Sequence, residues 1–338
     1  MKAMKPLTTS TGAPFSATIK IAVCAALLQV VGLPCLLAET TQFEAPVAEG
    51  ERVVLLGDGL GDVLAASGWL DAVLVAAYPL YKPTFRSLAH PGDSILPAAP
   101  LLATPADRPV LPSDERFVPP DLNRLRFYGH EGEDVWLERT GGSLVLLFVG
   151  RNEALDPEFT PERFRRALME RILGLGEGRR VALATPTLVE RLPDGPPPPA
   201  ARVDLVAGVM RQVAEEGGHG FADIRRPAGA GTLWPSYNGV HPDADSCRLI
   251  ALELACQWGW PEPSAENLSR LVALRELASE KNRFFVHRHR PLNSEYILGR
   301  RNRPFGVVDH PPEMEKLDRL CRELDEEMHR LVGGATKE

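Results

Sequence analysis

Short apolar runs of strand type alternate with helical patterns along most of this sequence, and this alternation limits the fold more than any other feature. The strand-type runs end at glycine or polar turns, and they cover residues 52–56, 84–89, 143–149, 180–185 and 220–224. A strand that returns parallel to its neighbour needs a long crossover connection, which is usually a helix. We therefore predict an α/β fold with a mostly parallel five-stranded sheet and helices on both of its faces.

The helical patterns are recognised by apolar periodicity and by capping residues. They cover residues 63–78, 161–173, 200–216, 243–258, 265–281 and 313–331. Thr160 and Pro161 illustrate the capping signal, since threonine is favoured at the N-cap and proline at the first helical position. The proline-rich segment 90–121 lacks periodicity, so we predict an ordered loop there. The last helix carries a Leu and Met stripe, which we expect to pack on its own domain.

The first 38 residues have the layout of a secretory signal peptide. They contain three lysines and no acid, and the apolar run from residue 21 to residue 38 is interrupted by Pro34. A membrane-spanning helix needs about 20 uninterrupted apolar residues, so this layout predicts cleavage after Ala38 and no integral membrane anchor afterwards. We expect an exported protein, periplasmic or extracellular, with a main domain over 51–260 and a helical, basic extension over 261–338 packed on it.

The overall charge argues against a nucleic-acid partner. The formal net charge of −7 falls to −10 when the signal segment and its three lysines are removed. Proteins that bind nucleic acids broadly do so through an excess of lysine and arginine that neutralises phosphates. We therefore exclude general nucleic-acid binding from the expected functions.

Three polar turns occupy positions where an α/β protein carries its chemistry. They are Gly57-Asp58-Gly59-Leu60 after the first strand, Gly150-Arg151-Asn152-Glu153 after the third, and Asn238-Gly239-Val240-His241 before a late helix. In open parallel sheets the ligand lies outside the carboxyl ends of the strands. We therefore expect these turns to meet in one site.

These turns, in this order and spacing, resemble the sequence blocks of the SGNH (GDSL-type) hydrolases. The family's block I is GDS, its block III is GxND and its block V is DxxH. The chain is most similar to exported bacterial SGNH-like proteins that continue with a tail resembling KNRFFVHRHRPLNSEYILGR, here residues 281–300. The likeness spans roughly 51–331. It implies a flavodoxin-like three-layer sandwich with a C-terminal helical extension.

The resemblance also implies roles for individual residues. In the family, the block I serine attacks an ester carbonyl, the block V histidine takes its proton, and glycine and asparagine donors hold the oxyanion. Carried over, His241 is the base, Asn152 is the side-chain oxyanion donor, and Gly92 stands where block II offers a backbone N–H. Two positions depart from the pattern: residue 59 is glycine where the nucleophile belongs, and Asn238 replaces the acid that orients the histidine. Covalent catalysis in its usual form is thereby excluded.

A second serine competes for the role of nucleophile. Gly92-Asp93-Ser94-Ile95 spells a GDSL-like tetrapeptide, but Ser94 follows a loop rather than an apolar strand. We interpret Ser94 as a turn or helix-capping serine, with a displaced nucleophile as the alternative. Asp58 is expected to hold the first turn together, and Glu153 to support the site from behind.

The basic segment 281–303 has two interpretations. It contains six arginines, including Arg288 and Arg290, which form either a solvated basic face or forks that grip carboxylates or sulfates of an acidic polysaccharide. The two histidines at 287 and 289 lack an evident third ligand, so we expect no metal and no other cofactor.

The sequence thus predicts an exported protein related to carbohydrate-ester or acyl hydrolases, with activity reduced or lost. The alternative is a non-catalytic protein that binds a glycan or acylated ligand in the degenerate site. A third hypothesis is hydrolysis in which His241 activates water directly. In each case the expected partner is an acylated or anionic carbohydrate.

Overall fold

Five parallel strands form the central sheet of the computed structural model. They are β1 (Arg52–Gly57), β2 (Thr84–Ser87), β3 (Leu144–Phe148), β4 (Arg180–Ala184) and β5 (Gly220–Ala222). The strand order is β2-β1-β3-β4-β5, and every neighbouring pair is parallel. This is the order of the flavodoxin-like doubly wound folds. The predicted α/β fold with a five-stranded sheet and a helical C-terminal region is confirmed.

The structure describes residues 44–96, 133–192, 197–227, 233–291, 293, 301–306 and 308–333. All of them belong to one compact unit, 41–338. The predicted signal peptide, 1–38, lies outside the described residues. So do most of the proline-rich segment 90–121 and residues 292 and 294–300 of the tail motif.

Nine helices lie within the described residues. They are α1 (Gly59–Ser67), α2 (Trp69–Ala77), α3 (Glu133–Thr140), α4 (Arg151–Leu155), α5 (Pro161–Gly174), α6 (Ala200–Gly217), α7 (Ala244–Gln257), α8 (Ala265–His289) and α9 (His310–Gly333). Thr160 caps α5 as predicted, because its side chain accepts a hydrogen bond from the backbone N–H of Arg163 at 3.1 Å.

The core lies in two layers, one on each face of the sheet. Side chains alternate between the faces along a strand, so Val53 and Leu55 of β1 face one layer, and Val54 and Leu56 face the other. The first layer is formed with α1, α2, α7 and α8. The second is formed mainly with α3, α5 and α6. Both faces of the sheet are therefore covered, as a parallel sheet requires.

The single helix predicted over 63–78 is wrong, because the chain forms two helices there. α1 ends at Gly68, which adopts a left-handed φ of 77°. A Cβ at Gly68 would lie 2.5 Å from the carbonyl oxygen of Arg275, so the glycine also allows α8 to approach closely.

In the described part of the chain, no single helix is long and apolar enough to cross a membrane, although α1 and α2 would pass that test together as a pair bent by 64°.

Helix α8 runs to His289, further than the predicted end at residue 281. The first part of the basic segment is therefore helical. Helices α3 and α4 were not predicted, because eight and five residues are too few for a clear apolar period.

Helix α9 packs against α8. Its buried side chains are Met314, Cys321, Asp325, Met328 and Val332. The methionines of the expected stripe, Met314 and Met328, are buried, but its leucines are only partly buried. An aspartate instead occupies the centre of the buried face.

That aspartate belongs to a cluster of buried charges joining α9 to α8, α2 and β2. The ammonium of Lys281 lies 2.6 Å from Asp325 Oδ1 and 2.9 Å from Asp71 Oδ2. Arg86 Nη2 lies 2.6 Å from Asp325 Oδ2. Burial raises the pKa of Asp71, whereas Lys281 and Arg86 outweigh burial and lower the pKa of Asp325. The cluster thus fixes the C-terminal helix to the sheet domain through charges that have little access to water.

Candidate functional site

The carboxyl ends of β1 and β3 lie side by side and mark the switch point of the sheet. Gly57 pairs with Phe148 at this edge, and the chain continues from β1 toward β2 but from β3 toward β4. A crevice forms at such a point, and ligands of open α/β folds bind there. Gly57 has a φ of 122°, and a Cβ there would lie 1.8 Å from the carbonyl oxygen of Phe148, so only glycine fits this turn.

Asp58 holds the turn after β1. Its Oδ1 accepts a hydrogen bond from the backbone N–H of Leu60 at 2.8 Å and caps α1. The same oxygen lies 3.6 Å from Arg151 Nη2, and the Asp58 side chain is 2% exposed. Asp58 therefore connects the β1 turn to the β3 turn.

Gly59 is the first residue of α1 and faces the other two turns. A Cβ built at Gly59 would lie 3.0 Å from Arg151 Nη2, 3.6 Å from His241 Nε2 and 3.7 Å from Pro91 Cα. Its φ lies outside the left-handed region, so an L residue can adopt this backbone. The position expected for a nucleophile thus lies next to the predicted base, and it carries no side chain.

Asn238 contacts His241 across a short loop closed by a bridge between Ser236 and Pro242. Asn238 Nδ2 lies 3.0 Å from His241 Nδ1. Asn238 Oδ1 accepts hydrogen bonds from the backbone N–H groups of Val240, at 3.1 Å, and His241, at 2.8 Å. These two bonds fix which end of the amide faces the imidazole.

The imidazole of His241 is half-buried, and Tyr237 stacks against it with 5.7 Å between ring centroids. Burial lowers the pKa of His241 below its ordinary value, and the positive charge of Arg151 lowers it further. His241 is therefore mainly uncharged at neutral pH.

Asn152 and Glu153 connect the β3 turn to the loop after β2. Asn152 Nδ2 donates a 2.6 Å hydrogen bond to the backbone carbonyl of Asp93. The fully buried carboxylate of Glu153 accepts from the backbone N–H groups of Gly150, at 2.7 Å, and Ile95, at 2.8 Å. Burial raises the pKa of Glu153. One hydrogen of the Asn152 amide is thus committed to the loop, and Glu153 supports the turn from below.

The loop after β2 contains the other predicted site residues. Gly92 is exposed, has a φ of 84°, and follows Pro91, which lies beside Gly59. Ser94 Oγ accepts a hydrogen bond from the backbone N–H of Leu96 at 3.2 Å, as a turn serine does. Burial raises the pKa of Asp93 to about 7.

The two arginines proposed as ligand grips both contact acidic residues. Arg288 Nε donates a 2.9 Å hydrogen bond to Asp318 of α9, and its guanidinium lies over Trp136 at 4.9 Å from the ring centroid. Arg290 Nη2 donates a 2.9 Å hydrogen bond to Asp62 of α1, near the site. The structure thus brings Arg290 toward the crevice, whereas Arg288 joins two helices.

Arg151 is the site residue that the sequence did not single out. It stands between Gly150 and Asn152 in the third-strand turn, and its side chain is 6% exposed. Only its position within that turn hinted at a role. The described residues include no group of three or more His, Cys, Asp or Glu side chains placed to hold a metal ion.

No family model matches this chain, and no curated protein matches it. Among solved structures it is similar to an acetylxylan esterase from Geobacillus stearothermophilus, with 16% identity over 64% of this chain and 97% of that one and a TM-score of 0.45. It is also similar to a lipase/acylhydrolase from Enterococcus faecalis, with 21% identity over 63% and 98% and a TM-score of 0.41. A third is an α/β hydrolase enzyme from the metagenome of Lake Arreo, Spain, with 18% identity over 63% and 96% and a TM-score of 0.42.

Proposed function

We propose that this protein is an SGNH-like relative of carbohydrate-ester or acyl hydrolases that no longer forms an acyl-enzyme and binds an acylated or anionic carbohydrate in the former active site. The observation that carries the proposal is the empty nucleophile position. A Cβ at Gly59 would lie 3.6 Å from His241 Nε2, so a serine there would reach the histidine. Glycine has no hydroxyl and therefore supplies no nucleophile. Without a nucleophile, the covalent route is closed.

The contact between Asn238 and His241 supports the same proposal. In a serine hydrolase a carboxylate accepts a hydrogen bond from Nδ1–H and stabilises the imidazolium. Asn238 faces Nδ1 with its amide nitrogen instead, which stabilises no positive charge. This arrangement also weighs against the hypothesis that His241 activates water as a general base.

We expect purified protein beginning at Glu39 to show no burst and no turnover with p-nitrophenyl acetate or acetylated xylo-oligosaccharides above the rate in buffer. Single-turnover stopped-flow measurements test this. A ligand that binds only the folded state raises the melting temperature. Thermal shift with the same oligosaccharides and with uronic-acid oligosaccharides therefore tests binding separately. A product burst would contradict the proposal, and steady turnover without a burst would favour water activation by His241.

The proposed export is tested independently. We propose that the mature chain begins at or near Glu39 and is periplasmic or extracellular, because the N-terminal segment is basic, then apolar, and free of acids. N-terminal sequencing of protein recovered from the periplasm or medium should start there. An intact Met1 on a membrane-bound product would overturn both the cleavage and the compartment.

A further inference from the structure

Two hydrogen-bond donors converge on the place where a hydrolase of this kind needs a nucleophile. Arg151 Nη2 and His241 Nε2 lie 3.0 and 3.6 Å from the position of a Cβ at Gly59. Because Gly59 has no side chain, a small ligand group can approach both nitrogens over its Cα without meeting a Cβ. What such a group must be depends on whether both nitrogens carry hydrogen.

His241 presents an N–H at Nε2. The carbonyl oxygen of the Asn238 amide accepts from the backbone N–H groups of Val240 and His241, so the amide nitrogen faces Nδ1 at 3.0 Å. An amide nitrogen only donates, hence Nδ1 must accept. A neutral imidazole carries one proton, which is then on Nε2. His241 therefore points a donor toward Gly59, not the acceptor that a base needs.

Arg151 is a buried guanidinium with unused donors. Its side chain is 6% exposed, and its ion-pair contact is with Asp58 Oδ1 at 3.6 Å, beyond hydrogen-bond distance. Its Nη1 is fully buried and has no hydrogen-bond partner among the described residues. A guanidinium has five N–H donors, and leaving buried donors unpaired is costly. The Nη2 of the same guanidinium faces Gly59, where an acceptor from a ligand could pair with it.

We propose that the space at Gly59 is a receptor for a carboxylate group, with Arg151 and His241 as its donors. The proposal rests on the proposed loss of acyl-enzyme chemistry and names the chemical class of the ligand. A carboxylate matches the planar guanidinium fork. The negative charge of Asp58 offsets part of the positive charge of Arg151, which lies 3.6 Å away. A singly charged carboxylate therefore fits the site better than a doubly charged phosphate.

The experiment titrates the mature protein by NMR with sodium acetate, with glucuronate and with the neutral methyl ester of glucuronate. We expect acetate and glucuronate to bind and to shift the His241 ring signals, and the methyl ester to bind at least about tenfold more weakly. Equal affinity for acetate and glucuronate would show that the site recognises the carboxylate group alone. Tighter binding of glucuronate would show that the site also contacts the sugar ring.

Two substitutions test the donors separately. Arg151→Lys keeps a charge but loses the fork, and His241→Phe keeps a ring beside Tyr237 but loses the Nε2 donor. Each should weaken carboxylate binding about tenfold to a hundredfold, since hydrogen bonds to a charged group are the strong ones. Arg283→Gln removes an arginine whose side chain is 64% exposed and should leave the affinity unchanged. Should Arg151→Lys fail to fold, His241→Phe still decides, because His241 lies in a half-exposed loop.

The tautomer of His241 tests directly whether Asn238 makes Nε2 the donor. Side-chain ¹⁵N NMR should show hydrogen on Nε2 in the wild type and on Nδ1 in Asn238→Asp. Three results would contradict the proposed carboxylate site. They are absence of carboxylate binding, unchanged binding in both donor variants, and an Nδ1–H tautomer in the wild type. If the protein shows neither carboxylate binding nor ester turnover, only the carboxylate site is contradicted. A burst from an acyl-enzyme contradicts the proposed function instead.

Discussion

The double variant Gly59→Ser/Asn238→Asp should hydrolyse p-nitrophenyl acetate far faster than Gly59→Ser alone, which should exceed the rate in buffer by only about tenfold to a hundredfold. In serine proteases, replacing the orienting aspartate by asparagine costs about 10⁴ in kcat because the histidine takes the wrong tautomer. Asn238 imposes the same condition here. A serine at residue 59 therefore needs the Asn238→Asp change as well, because only then does Nε2 of His241 become an acceptor for the serine proton.

The geometry at residue 59 allows this experiment. The φ of Gly59 is compatible with serine, and its Cβ would be 3.6 Å from His241 Nε2. The 3.0 Å approach to Arg151 Nη2 is tight, but that atom is the far end of a side chain and can move by a few tenths of an ångström. Stopped-flow absorbance measures both the burst and the steady rate.

Gly59→Ala is the matched control, because it adds the same Cβ without a hydroxyl and should gain nothing. In the double variant, His241→Ala should abolish the new activity and Ser94→Ala should preserve it. The opposite result, activity that depends on Ser94 and not on His241, would make the Gly92-Asp93-Ser94-Ile95 tetrapeptide the real centre. If Gly59→Ser/Asn238→Asp folds but shows no burst, the assignment of residue 59 as the former nucleophile position is wrong.

The sequence was informative about the strands and the turns that follow them, because each of these is specified locally. An apolar run that ends at Gly57 or Gly150 needs no distant information to be read as a buried strand followed by a tight turn. Parallel pairing then brings the ends of β1 and β3 together, so a shared site at that edge could be predicted from order alone.

Features that depend on distant contacts could not be read in the same way. Gly68 lies in an apolar run that is typical of one long helix, and its reason for being glycine is the backbone of α8, reached only in the folded chain. Arg151 looks like any polar residue after a strand until the fold sets it beside Gly59 and His241. Lys281 is the first residue of the basic segment 281–303, which suggests an exposed side chain, yet its ammonium is buried between two aspartates.

Replacing Lys281 with methionine should destabilise the protein by about 3–5 kcal/mol, a large part of the roughly 5–15 kcal/mol of a typical domain. The substitution leaves the carboxylate of Asp71, 1% exposed, without the ammonium that lies 2.9 Å away. Asp325 retains Arg86, so most of the loss should arise at Asp71. Urea unfolding followed by circular dichroism measures the change. Truncation after Phe305 removes Asp325 together with all of α9 and should cost at least as much.

A second substitution separates the charge effect from simple loss of packing. Removing both partners of a buried ion pair is often nearly neutral, because no uncompensated charge remains. Lys281→Met/Asp71→Leu should therefore be more stable than Lys281→Met alone. Arg319→Met is the control: it removes an exposed i,i+4 pair with Glu323 at 3.7 Å, and such pairs contribute about 0–1 kcal/mol. If Lys281→Met unfolds at the same urea concentration as the wild type, the charges do not hold α9 in place, and its attachment must depend on the apolar contacts of Met314, Met328 and Val332.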